Sequence, residues 1–250
     1  MPLFKRAVQR FARACGYRIA KIKAPTAAQD ETVAMTALLA AVHEPVIFDV
    51  GAHHGCFALS LRKAFPRSVI HAFEPFPESF EILKRNTASD PRIVVHNFGL
   101  AERSGTRTFH SNSNSATNSL FSTDSSGARI WGEGMLDTQC VVQASFETLD
   151  SVVERLGVAQ IDLLKLDVQG AEHLVMGGSA VSCERGLIKL IYAEVLAQAT
   201  YESQMRFDQA LAVYYDRGFN LFGLYNTCAS NEGRVLQVDC LFTHDACVLK

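Results

Sequence analysis

Four acids of this 250-residue chain stand where an apolar, β-prone run stops: Asp49, Glu74, Asp167 and Glu194. An acid in such a place can accept a proton from a hydroxyl, accept hydrogen bonds from a ribose, or neutralise a lysine. Lys165 lies two residues before Asp167, so both fall on one side of an extended strand and can pair. Asn97 closes the run Arg92–Asn97 in the same way. His53, His54 and His173 are further groups able to move a proton, although a satisfied structural histidine explains each of them as well. Val46–Val50 is followed by Gly51, Gly55 and a helical pattern through Phe57, Ala58, Leu61 and Phe65. A glycine turn between strand and helix lets backbone approach a ligand closely and presents free N–H groups. The same turn also serves for tight packing alone. Its spacing, Asp49-x-Gly51-x-x-x-Gly55, is not the dinucleotide G-x-G-x-x-G.

The elements that must position these residues alternate in type. Strands are expected at 46–50, 68–74, 92–97, 161–167 and 187–195, with shorter extended pieces at 106–110 and 140–144. Helices are expected at 29–42 behind an Asp30 N-cap, at 146–156 behind Ser145, after Ala171 up to Gly177-Gly178, and at 201–217. Residues 219–224 and 235–243 read as a closing hairpin. This order predicts a mostly parallel sheet with helices on both faces. In such sheets ligands bind beyond the carboxyl ends of the strands, where the acids above fall. Glu74 stands 19 residues after Gly55, a place from which a carboxylate can accept ribose hydroxyls. Between Ser111 and Gly134 periodicity is lost, and 111–119 contains only Ser, Asn, Thr and one Ala. A loop of this length inside a compact domain suggests a lid over the site, mobile without ligand. Its Trp131 can stack on a substrate ring or anchor the loop to the core.

Composition narrows the class. At 48% hydrophobic the chain can bury a large core, and a net charge of −2 gives no reason to expect nucleic acid. Seven scattered cysteines show no metal-ligand spacing and point to reduced, mostly buried thiols in a cytoplasmic protein. No apolar run is long enough to cross a bilayer. Residues 1–44 read as a helical arm and 45–250 as the domain. The arm carries Lys5, Arg6, Arg10, Arg13, Arg18, Lys21 and Lys23 without an acid over residues 2–23. A basic amphipathic helix at 5–23 can lie on the inner face of an anionic membrane, or pack on the domain with its charges in water.

The Asp49–Gly55 spacing has the form seen in S-adenosylmethionine-dependent methyltransferases. The whole set of motifs resembles the FkbM family: Asp49-Val50-Gly51-Ala52 with Gly55, Phe73-Glu74-Pro75 with Pro77, Asn86, Asn97-x-x-Leu100-Ala101 with Gly105, Thr148-Leu149-Asp150, Lys165-x-Asp167-Val168-Gln169-Gly170-Ala171-Glu172, and Asp239 before Leu241-Phe242. The resemblance implies an α/β, Rossmann-like class I methyltransferase fold of seven strands with a C-terminal β-hairpin. It implies S-adenosylmethionine held by Asp49, Gly51, His53, Gly55, Glu74 and Asn97. The acceptor implied is a hydroxyl of a sugar, glycolipid, polysaccharide or secondary metabolite. His53 stands where the family usually has asparagine, and the family's Ser-Ser-Leu appears as Asn118-Ser119-Leu120. Ser119, Trp131 and Glu194 are the candidate acceptor-side residues, and Asp167 with Lys165 the candidate catalytic pair. Glu172 reads as a first-turn helix acid or a loop tether. Two strand-end carboxylates are too few to imply a metal. An NAD-dependent oxidoreductase of Rossmann type shares the fold and the ribose acid but needs the missing glycine motif. A non-catalytic module that only holds the cofactor is the other reading.

Overall fold

A computed structural model describes residues 26–132 and 134–245. The helix expected at 5–23, Cys15 and Cys247 lie outside them. The described elements begin with α1 (Glu31–Leu38), β1 (Val46–Val50), α2 (Cys56–Ala64), β2 (Val69–Phe73), α3 (Pro77–Thr87), β3 (Ile93–His96), β4 (Gly99–Leu100) and β5 (Gly105–Asn112). After a 3-10 turn (Ser115–Thr117) come α4 (Ser125–Trp131), β6 (Thr138–Glu147), α5 (Leu149–Leu156), β7 (Ile161–Leu166), α6 (Glu172–Gly177) and α7 (Ala180–Glu184). The chain closes with β8 (Ile188–Leu196), α8 (Phe207–Tyr215), β9 (Phe219–Ala229) and β10 (Val235–His244).

Seven strands form one sheet in the order β3-β2-β1-β7-β8-β10-β9. The first five run parallel, and β10 pairs antiparallel with both β8 and β9. This is the seven-stranded Rossmann-like arrangement expected from the sequence, hairpin included. All six residues of β7 are buried, as a strand covered on both faces requires. One apolar layer joins Phe48, Leu164 and Ile191 to Leu149, Val152, Met176 and Tyr214. The other joins Ile47, Leu163 and Leu190 to Ala34, Met35, Leu61 and Leu83. Residues of α1, assigned above to the arm, thus pack in the core beneath the sheet, and Tyr225 donates to the Ala27 carbonyl at 2.7 Å.

Several boundaries differ from expectation for local reasons. Phe146 and Glu147 extend β6 and do not begin a helix. Thr148 is the cap, its hydroxyl accepting the Ser151 N–H at 3.1 Å. Phe146 is needed in the second, three-stranded sheet, β4-β6-β5, where its ring fills the space beside Gly99. The helix expected from 201 starts at Phe207, because Tyr201 pairs with Thr123 and Gln204 ties back to the Thr200 and Tyr201 N–H groups. Asn112 still belongs to β5, and a 3-10 turn and α4 structure part of the stretch read as loop. Cys56 and Cys140 are exposed, while Cys183 and Cys240 are buried.

Candidate active site

The turn after β1 is shaped by crowding. Gly51 has φ +78°, and a Cβ there would lie 1.9 Å from the Asp167 carbonyl oxygen. Only glycine lets the end of β7 pass so close, and that passage brings Asp167 beside the turn. Gly55, at φ +83°, starts α2, and a Cβ would meet the Leu83 side chain at 2.7 Å. Gly55 therefore seats α2 on α3 and does not line the site.

Glu74 follows β2 and is buried. Its Oε2 accepts the His53 N–H at 2.8 Å and its Oε1 the Phe76 N–H at 2.9 Å. A carboxylate offers about four lone-pair positions, so acceptor capacity remains toward the adjoining cavity. Burial lifts its pKa to about 7, against the pull of those two amides. The His53 ring stacks on His54, and its Nε2 lies 2.8 Å from Ser115 Oγ. Burial, then the neighbouring His54, lower its pKa to about 4, so the ring is neutral at pH 7. Asn97 is exposed and donates to the Glu74 carbonyl at 3.1 Å.

Lys165 is buried, and its three ammonium hydrogens face three oxygens. These are Gly51 O at 3.0 Å, Asp49 Oδ1 at 3.1 Å and Asp167 Oδ2 at 3.3 Å. Burial alone would lower its pKa, but the Asp167 and Asp49 carboxylates hold it above the ordinary lysine value. Asp49 is fully buried, and its Oδ2 has no hydrogen-bond partner among the described residues. Asp167 is different: 37% of its side chain remains exposed.

Gly51, His53, Glu74, Asp167 and Gln169 line one cavity. Gly99, Leu100, Phe109 and Phe146 supply an apolar wall, and Ser115, Ala116, Asn118 and Leu120 supply the roof. Asp49, Gly55 and Asn97 support this cavity from behind. Ser119, Trp131 and Glu194 do not line it either. Buried Ser119 donates to the Gln169 carbonyl at 2.7 Å. Trp131 donates to Thr200 Oγ1 at 2.9 Å and packs on Leu136, Leu196 and Tyr201. Of its two roles, anchoring is the one seen. Glu194 accepts Gln169 Nε2 at 2.8 Å and Gln237 Nε2 at 2.7 Å. Glu172 tethers the loop before α6, its Oε1 accepting the Val168 and Gly170 N–H groups at 3.0 and 3.3 Å.

The profile of the methyltransferase FkbM domain matches residues 49–221. The chain belongs to this family. It is a methyltransferase of the S-adenosylmethionine-dependent kind. Over 168 residues it is 28% identical to 2-O-methyltransferase NoeI of Sinorhizobium fredii, covering 65% of this chain and 68% of that one. It is 30% identical over 153 residues to 31-O-demethyl-FK506 methyltransferase FkbM of Streptomyces tacrolimicus, covering 53% and 58%. A 31% match to AMB antimetabolite synthetase AmbE of Pseudomonas aeruginosa covers 54% of this chain and 8% of that protein.

In this FkbM methyltransferase the motif residues divide between lining and support. The cavity wall residues Phe109 and Phe146 escaped the sequence reading: Phe109 falls in a short extended piece with nothing to mark it as lining, and Phe146 reads as the start of a helix. Gln169 was visible inside the Lys165–Glu172 motif, and nothing in its type suggested the bonds it makes. No helix among the described residues is long and apolar enough to cross a membrane.

Proposed function

We propose that the chain transfers a methyl group from S-adenosylmethionine to a hydroxyl oxygen of a small-molecule or glycan acceptor. The observation that supports this best is the placing of Asp167 at the cavity, across from Glu74, with Lys165 behind it. The cavity fits the cofactor. Glu74 has spare acceptor capacity for ribose hydroxyls, the Phe109–Phe146 wall suits an adenine, and the unpartnered Asp49 Oδ2 lies beneath the Gly51 turn. When bound, the cofactor supplies a methyl on a good leaving group.

The remaining work falls to the chain. Asp167 accepts the acceptor's proton as its oxygen attacks the methyl and the carbon–sulfur bond breaks; Lys165 holds that carboxylate in place. The roof from Ser115 to Leu120 excludes water and orients the acceptor. Relatives whose names specify O-methylation favour a hydroxyl over a nitrogen. Cytoplasmic placement, with contact between the basic 5–23 segment and anionic lipid as one of its two readings, belongs to the same proposal. Methylated product from labelled S-adenosylmethionine and a panel of glycans and polyols, seen by mass spectrometry, tests it. Cofactor binding without product from any hydroxyl acceptor would leave a binding module instead.

A further inference from the structure

Gln169 sits just beyond Asp167 with φ +54°, a backbone conformation that L side chains seldom adopt. Nothing local to the turn favours glutamine there. Its side chain does. The two N–H hydrogens of Nε2 go to Asp167 Oδ1 and Glu194 Oε2, both at 2.8 Å. An ionised carboxylate only accepts, which turns the nitrogen end of the amide toward Asp167; burial and the Asp167 charge push the Glu194 pKa well above the ordinary carboxylate value, and there Oε2 is the accepting atom. The oxygen end is then left for Tyr201, whose hydroxyl lies 2.9 Å from Gln169 Oε1 and 2.9 Å from Thr117 O. The backbone carbonyl of Gln169 receives the Ser119 hydroxyl at 2.7 Å. Thr117 and Ser119 do not line the cavity themselves but lie in the Ser115–Leu120 stretch that roofs it. One residue thus contacts the exposed carboxylate on one side and the roof on the other.

Building on the methyl-transfer reading, we infer that Gln169 is a positioning residue that aims Asp167 into the cavity and couples that aim to closure of the 113–131 segment over the acceptor. Lys165 holds one oxygen of Asp167 and Gln169 the other, so rotation of the carboxylate is blocked only while both bonds persist. Opening of the roof pulls on Ser119 and Tyr201, and through them on Gln169. The carboxylate is then correctly aimed when the site is covered and free to turn when it is open.

The test compares wild type with Gln169→Leu, which keeps bulk and removes every side-chain bond, and with Tyr201→Phe, which removes the hydroxyl between Gln169 and Thr117 and leaves the Ser119 bond in place. Hydrogen exchange followed by mass spectrometry is read over residues 113–131, with and without S-adenosylmethionine. Turnover is read with methyl α-glucopyranoside as the hydroxyl probe, and cofactor affinity by calorimetry. In Gln169→Leu, exchange over 113–131 rises at least about tenfold, and kcat falls roughly 10- to 100-fold. KM for S-adenosylmethionine and its Kd stay within about twofold, which a merely structural defect would not leave untouched. Tyr201→Phe raises exchange in the same segment with a smaller fall in kcat. Exchange unchanged in both variants overturns the coupling, and a kcat loss matched by equal loss of cofactor affinity overturns the positioning role. Absence of transfer by wild type counts against methyl transfer to such a hydroxyl, while the exchange data still decide the role of Gln169.

Discussion

The two sides of the cavity hold their carboxylates by different means. On the β1–β2 side, Glu74 is buried and gripped by two backbone N–H groups from turns immediately next to it. On the β7–β8 side, Asp167 is partly exposed and gripped by side chains, Lys165 and Gln169, which are themselves braced by Asp49, Glu194 and Tyr201. Backbone grips are fixed once the turns form, which suits a group that must meet an invariant cofactor. Side-chain grips can be rearranged, which suits a group that must meet an acceptor and a moving proton.

The sharpest way to break this contrast is at Gly51, where the two sides touch. Gly51→Ala forces a Cβ into the Asp167 carbonyl and should cost more than about 4 kcal/mol, read as loss of the denaturant transition. Lys165→Met leaves the fully buried Asp49 carboxylate uncompensated and should cost about 3–5 kcal/mol by the same measurement. A loss below about 1 kcal/mol would mean that Asp49 and Lys165 do not brace Asp167.

The backbone-held side carries its own pH signature. Glu74 keeps its proton up to about pH 7 when folded, against an ordinary value near 4.5, so the folded state binds more protons between those limits. Its contribution to stability is complete below the ordinary value and is lost as pH rises through about 7. Glu172, also held near 7 by burial, adds a slope of the same sign. Glu74→Gln should flatten the fall across that window by about 3 kcal/mol, since each pKa unit is worth about 1.4 kcal/mol. Stability profiles that superimpose would place Glu74 in water. On the other side, Asp167→Asn should lower turnover roughly 100-fold and leave cofactor affinity within about twofold. If turnover persists, alignment alone drives the reaction.

The same contrast explains what could be read from the sequence. Asp49 and Gly51 were legible because turn chemistry is local, with strand, glycine and helix in one short run, and Glu74 because it closes the next apolar strand. Lys165 and Asp167 were legible as a pair from alternation along a strand. The division into lining and support was not legible. Asp49 and Asn97 carry the right chemistry, yet each is turned to a neighbour and not to the cavity. The bonds of Gln169 to Glu194 and Tyr201 span 25 and 32 residues and depend on how β8 and the following turn pack. The 111–134 stretch looked structureless because its anchors lie outside it, at Thr200 and Tyr201, and because Ser119 and Asn118 are buried despite their polarity. The Phe146 boundary failed because helix propensity after Ser145 lost to packing against Gly99.

Calorimetric titration of S-adenosylmethionine into wild type and Glu74→Ala tests the central claim most directly. The account predicts saturable one-site binding to wild type, weakened in the variant by about 1–3 kcal/mol, or roughly 5- to 150-fold, with both proteins equally folded. Equal affinity in the two proteins, or no binding to either, would contradict it.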